Sequence, residues 1–115
     1  GERIPGFGHR LYPDGDPRAR LLMRLIREAY PNAPIVALAD AIIETVNAIT
    51  GLYPNVDYAL ALLERAANLP SGSAVGLFAL GRSAGWIAHA LEQYAAKTLI
   101  RPRARYTGSA PEAKL

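Results

Sequence analysis

The sequence predicts an all-α fold: a bundle of about four helices followed by an irregular basic segment. Three observations carry this. Apolar residues recur at three- and four-residue spacing over long stretches. Proline, aspartate and glycine stand where helices start and stop. No stretch sustains the period-two alternation of a half-buried strand.

Residues 1–16 hold Pro5, Gly6, Gly8, Pro13, Asp14 and Gly15, which is loop chemistry. Asp16-Pro17 opens a first helix, with aspartate as N-cap and proline at the first helical position. Leu21, Leu22, Leu25, Ile26 and Ala29 form its expected apolar stripe, Arg20, Arg24 and Arg27 face elsewhere, and Pro31 stops it. Pro34 starts a second helix with Ile35, Leu38, Ala39, Ile42, Val46 and Ile49 on one face, and Gly51 closes it. Asn55-Val56-Asp57 opens a third, carrying Leu60, Leu63 and Ala67 and ending at Leu69-Pro70. Ser71 or Ser73 caps a fourth that runs to about Ala96. That helix is apolar around most of its circumference, with Val75, Leu77, Phe78, Leu80, Trp86, Ile87 and Leu91. Such a helix calls for burial on all sides, so it is expected in a subunit interface or against a domain outside this chain.

Composition narrows the function. The chain has 115 residues and a mass of 12.4 kDa, half of them apolar and a fifth charged, which fits one small globular domain and excludes intrinsic disorder. It holds no cysteine and only two histidines, His9 and His89, so thiolate chemistry and a histidine-rich zinc site are excluded and no metal is expected. No membrane span or signal peptide is read, and the cytoplasm is the expected compartment. Eleven arginines stand against two lysines, which suits planar recognition of carboxylate or phosphate. The net charge of +3 and pI near 9.5 raise nucleic-acid binding, but the basic residues lack aromatic interleaving and show no recognition motif.

Three features carry chemistry. Gly6-Phe7-Gly8-His9-Arg10 precedes Arg18 by a short loop; its glycines allow close backbone approach, its histidine can donate or shuttle a proton, and Arg18 sits in a helical first turn that favours anions. The plainer reading of His9 is a turn histidine bonded to a backbone carbonyl. Asp57 is either a helix-start carboxylate or a general base. Arg82 interrupts an apolar helix, so it pairs with an acid such as Glu64 or Glu92, or binds an anion. Arg101, with Arg103 and Arg105, binds an anion or forms a solvated tail.

Taken in order, Gly6-Phe7-Gly8-His9, Asp16-Pro17-Arg18-Ala19, Asn55-Val56-Asp57-Tyr58, Gly81-Arg82-Ser83-Ala84-Gly85-Trp86-Ile87-Ala88-His89 and Arg101-Pro102-Arg103 with Tyr106-Thr107-Gly108 resemble the C-terminal part of citrate synthase. The resemblance implies residues 1–82 as the family's small domain, and 83–115 as a helix and tail belonging to a large domain otherwise absent. It implies a homodimer that condenses oxaloacetate with acetyl-CoA to give citrate and CoA. Under it, His9 binds the oxaloacetate carbonyl and Asp57 is the base. Arg18 and Arg82 bind substrate carboxylates, and Arg101 does so across the dimer interface. Ile4, Pro5, Gly6, Phe7 and Gly8 lie near the coenzyme A adenine. The thioester is a co-substrate; no permanent cofactor or metal is implied.

The sequence departs from the pattern in three places. It contains no Gly-His-Gly-type motif for the family's second catalytic histidine, and His89 reads as structural. Position 13 is Pro13, where many members carry a basic residue that contacts a coenzyme A phosphate. The spacing from Arg82 to Arg101 is about one residue short. The chain begins at Gly1 and reads like the interior of a protein, so it is expected to be a C-terminal portion that shows no condensation alone. A 2-methylcitrate synthase using propionyl-CoA and a citryl-CoA lyase share these motifs, and a non-catalytic interaction module is the alternative of a different class.

Overall fold

Helix α1 (Pro17–Ala29) starts where local chemistry directs it, because the Asp16 side chain accepts from the Arg18 amide and Pro17 occupies the first turn. Helix α2 (Pro34–Thr50) also begins at a proline and ends at Gly51, which adopts φ 71° as a left-handed cap. Helix α3 (Val56–Ala66) is capped by Asn55, whose side chain accepts from the amides of Asp57 and Tyr58. Helix α4 (Ser73–Ala96) is the longest at 24 residues. The all-α expectation holds in this computed structural model, which describes residues 4–99 and 107–108. Among these, the only β pairing is an isolated antiparallel bridge between Phe7 and Pro54.

The chain divides into two units, Gly1–Ala84 and Gly85–Leu115. In the first, α1 and α2 both pack on α3 around Ala19, Met23, Ile26, Val36, Ala39, Ala59 and Leu62. This corrects the expected faces. On α1, Leu21, Leu25 and Ala29 are exposed, and the buried line is Ala19, Met23 and Ile26. On α2, Leu38, Ile42 and Ile49 are exposed while Val36 and Ala39 are buried. The reason is close packing: α1 and α3 each contribute an alanine at 0% exposure, Ala19 and Ala59. A stripe chosen for its large leucines misses small residues that let backbones approach.

Two expected boundaries also move. Helix α3 stops at Ala66 rather than at Leu69-Pro70, because Asn68 turns left-handed (φ 51°) and the Leu69 amide donates to the Glu64 carbonyl at 2.9 Å. At the start of α4 the acceptor is not a serine. Glu64 Oε2 takes the Ala74 amide at 2.7 Å, and the Ser73 hydroxyl donates to the Pro70 carbonyl.

No residue of α4 is buried. Val75, Phe78 and Leu80 are exposed in the first unit, and Trp86, Ile87, Leu91 and Tyr94 in the second. Among the described residues, no helix is long and apolar enough to cross a membrane.

The loop before α1 is fastened to the segment before α3. The Gly8 amide donates to the Tyr53 carbonyl (2.8 Å), the Asn55 amide to the Gly6 carbonyl (2.9 Å), and Asn55 Nδ2 to the Gly8 carbonyl (3.2 Å). Phe7 is buried, edge-on to Tyr58 with ring centroids 5.0 Å apart. The Tyr58 hydroxyl in turn donates to the Ala39 carbonyl of α2 at 2.9 Å. Gly6 has φ +80°, and a Cβ there would stand 3.1 Å from Tyr58 Cβ. Gly6→Ala is therefore expected to lower stability by about 1–3 kcal/mol, from both left-handed strain and crowding. A urea midpoint equal to wild type would show that the loop yields without cost.

Candidate functional site

The site is organised by Asp16, which is 1% exposed yet whose side chain accepts four hydrogen bonds. Its Oδ1 accepts from the Arg18 amide and from Arg18 Nε, both at 3.0 Å. Its Oδ2 accepts from Arg18 Nη2 at 2.8 Å and from the Val56 amide at 3.1 Å. One carboxylate thus caps α1, grips the Arg18 guanidinium and takes an orphan amide at the start of α3. Burial opposes the charge on Asp16. The Arg18 side chain, the amides of Arg18 and Val56 and the Arg18 charge outweigh it, holding the carboxyl below its ordinary value of 3.8. The same hydrogen bond, with the Asp16 charge, raises Arg18 against its own desolvation.

A depressed carboxyl stabilises the fold above its unfolded pKa, and that contribution disappears as pH falls through the lower folded value. The urea midpoint is expected to fall as pH drops below about 4, and Asp16→Asn should flatten that acid limb. An unchanged acid limb in the variant would assign the effect to other carboxylates.

Arg18 Nη2 also lies 3.3 Å from His9 Nε2. The His9 ring sits 4.8 Å from the Tyr12 ring, and the Arg18 guanidinium lies 5.7 Å from the centroid of the same ring. His9 Nδ1 is 3.2 Å from the Leu11 amide. His9, Tyr12, Asp16 and Arg18 therefore form one cluster at the start of α1.

His9 also borders a groove of about 530 Å³ lined by Ile4, Pro5, Gly6, Phe7, Gly8, Arg10, Leu52 and Asn55. Its walls are the backbone of the glycine loop and the segment to which it is stitched.

Asp57 stands in the first turn of α3 and is exposed. Its charge contributes to raising Arg18. The cap is Asn55, so Asp57 is not needed to close the helix start. Asp57 lines a second pocket of about 290 Å³ with Leu60, Ala74, Val75 and Phe78, a carboxylate against an apolar wall.

Arg82 is exposed on α4 and pairs with no described acid of Gly1–Ala84. Glu64, one of the two acids considered for it, is bonded to the start of α4 instead. Arg101 lies outside the described residues. His89, read as structural, is exposed on α4, with Nδ1 3.4 Å from Glu92 Oε2 on the same helix. Among the described residues no group of three His, Asp or Glu side chains is arranged to hold a metal.

Reading from sequence missed Tyr12 and gave Asp16 only a capping role. A signal was present in the three-residue step from His9 to Tyr12 and the two-residue step from Asp16 to Arg18. The link from Asp16 to Val56 spans 40 positions and left none.

A helical domain gathers a loop histidine, a clamped arginine and a helix-borne carboxylate, the elements of a site for acid–base work on an anion. Comparison with known proteins assigns it further. A family model described as "Citrate synthase, C-terminal domain" matches residues 1–103. A citrate synthase of Haloferax volcanii is 44% identical over 111 residues, covering 94% of this chain and 29% of that protein. Citrate synthase 2 of Bacillus subtilis is 38% identical, covering 93% and 30%. A 2-methylcitrate synthase 1 of Corynebacterium glutamicum is 36% identical, covering 93% and 29%. The chain belongs to the citrate synthase family, and it spans about three-tenths of the length of these curated relatives.

Proposed function

We propose that this chain supplies the oxaloacetate-binding and proton-abstracting part of a site that condenses acetyl-CoA with oxaloacetate to a citryl thioester, which water then hydrolyses to citrate and CoA. The observation that carries the reading is the 3.3 Å approach of Arg18 Nη2 to His9 Nε2, beside the helix that bears Asp57. A neutral imidazole has one acceptor nitrogen. The Leu11 N–H and Arg18 Nη2 are both donors, so the ring accepts from one of them only. In the tautomer with Nδ1 accepting from Leu11, Nε2–H is left to donate to a ligand, and Arg18 Nη2 stands beside it as a second donor and not as its hydrogen-bond partner. Two neighbouring donors, one neutral and one cationic, fit a ligand with a carbonyl oxygen next to a carboxylate, as in a 2-oxo acid.

Asp57 is the base that removes a methyl proton from the thioester. A carboxylate at an apolar pocket suits this task, since an apolar wall excludes water from the carbanion that forms. Arg82 and Arg101 bind the remaining carboxylates, Arg101 from the partner of a homodimer. The Ile4–Gly8 loop lines the groove that takes the adenine end of the thioester. The co-substrate is the only coenzyme in this scheme, and the step needs no metal.

A second reading is favoured by the 2-methylcitrate synthase among the relatives: the acyl group is propionyl and the product 2-methylcitrate. One assay addresses both. In the complete polypeptide that carries this segment, thiol release from acetyl-CoA and from propionyl-CoA is followed with and without oxaloacetate. Oxaloacetate-dependent release is expected, the faster thioester naming the acyl group. No dependence with either thioester overturns the proposal.

A further inference from the structure

We propose that Asp16 is a positioning residue for the condensation, holding the Arg18 guanidinium and the Asp57-bearing turn of α3 in one frame through a single carboxylate. The inference rests on the reading of Arg18 as a carboxylate binder and Asp57 as the base.

Capping alone does not account for Asp16. One oxygen, Oδ1, suffices to accept the Arg18 amide, and serine, threonine or asparagine would do that as well. The second oxygen is the informative one. Oδ2 accepts from Arg18 Nη2 and from the Val56 amide, groups on two different helices. Val56 is the first residue of α3, immediately before Asp57. The carboxylate therefore bridges the substrate-binding arginine and the residue next to the base.

The geometry also fixes how Arg18 is presented. Asp16 takes the edge formed by Nε and Nη2 in a two-pronged pair. The guanidinium has five N–H donors, so those not used by Asp16 remain for His9's neighbourhood and for a ligand. The Arg18 side chain is 49% exposed, and an arginine that exposed would ordinarily sample many rotamers. Held on one edge, it loses less freedom when a carboxylate binds.

The test uses the complete polypeptide and reads kcat and both KM values. Asp16→Asn keeps a capping oxygen but replaces the other with an amide that opposes Arg18 and the Val56 N–H. The KM for oxaloacetate should rise roughly tenfold or more, with the KM for the thioester within about twofold. Ile43→Val, on α2 and packed against the core, serves as the control for lost stability and should move neither KM. In an Arg18→Lys background, Asp16→Asn should add less than about twofold, because it acts through Arg18. If Asp16→Asn does not fold, Val56→Pro removes only the α3 donor, at a position where proline is favoured. It should lower kcat about threefold while sparing the oxaloacetate KM.

A folded Asp16→Asn with unchanged oxaloacetate KM overturns the proposal. So do two KM values rising together, effects that multiply in the Arg18→Lys background, or a Val56→Pro variant with wild-type kcat. Wild-type protein without oxaloacetate-dependent turnover overturns the functional reading itself, and is told apart because it precedes any variant.

Discussion

Asp57→Asn is expected to lower the kcat of the complete polypeptide by roughly 10²–10⁴-fold, the range a positioned general base supplies. Asparagine keeps the shape and removes the basicity. The fold should barely register the change. The cap at this helix is Asn55, whose oxygen holds the amides of Asp57 and Tyr58. What the variant forfeits is a negative charge near the helix N-terminus, about 0.3–1 kcal/mol at an exposed position. Turnover and urea midpoint measured on one preparation separate the two readings of Asp57 that the sequence leaves open. A large loss of stability with turnover per folded molecule intact would make Asp57 a helix-start residue. A large loss of turnover with stability intact would make it the base.

The second large effect is structural. Ile26→Ala should destabilise the chain by about 2–5 kcal/mol, the cost of removing a large aliphatic side chain from a packed core. Ile26 is 2% exposed, between α1 and its neighbours. The residue before it provides the contrast. Leu25 is 46% exposed, and Leu25→Ala should cost within about 0.5 kcal/mol. Sequence reading placed both on one buried stripe and so expects similar losses. Equal urea midpoints for the two variants would favour that stripe over the observed core.

The difference matters to the site. The Ala19–Met23–Ile26 face sets how closely α1 lies on α3, and both helices start at the Asp16 carboxylate. An ion pair adds to the frame: Arg27 Nη2 meets Asp40 Oδ1 of α2 at 2.5 Å. That hydrogen bond, against partial desolvation, raises Arg27 further above neutrality. Tyr58 completes the frame through its bond to Ala39. Its burial, with Asp40 nearby, pushes the phenol above its ordinary value.

The features legible in the sequence are those set by neighbouring residues. Asp16-Pro17, Pro34, Gly51 and Asn55 mark helix ends because capping and backbone geometry act over two or three positions. The resemblance singled out His9, Arg18 and Asp57, and it did so because short motifs keep their order. The apolar girth of α4 was legible too, since composition alone shows a helix without a polar face. Tertiary structure alone decided the rest. Which side of α1 and α2 is buried depends on where α3 lies, and two small alanines there outrank larger leucines. Glu64 replaces a local serine at the start of α4 because α3 brings it within 2.7 Å of Ala74. Asp16 reaches Val56 across 40 positions because α1 and α3 pack with their first turns together. Local chemistry sets the helix ends, while the choice of buried face and of polar partner waits on which surfaces meet.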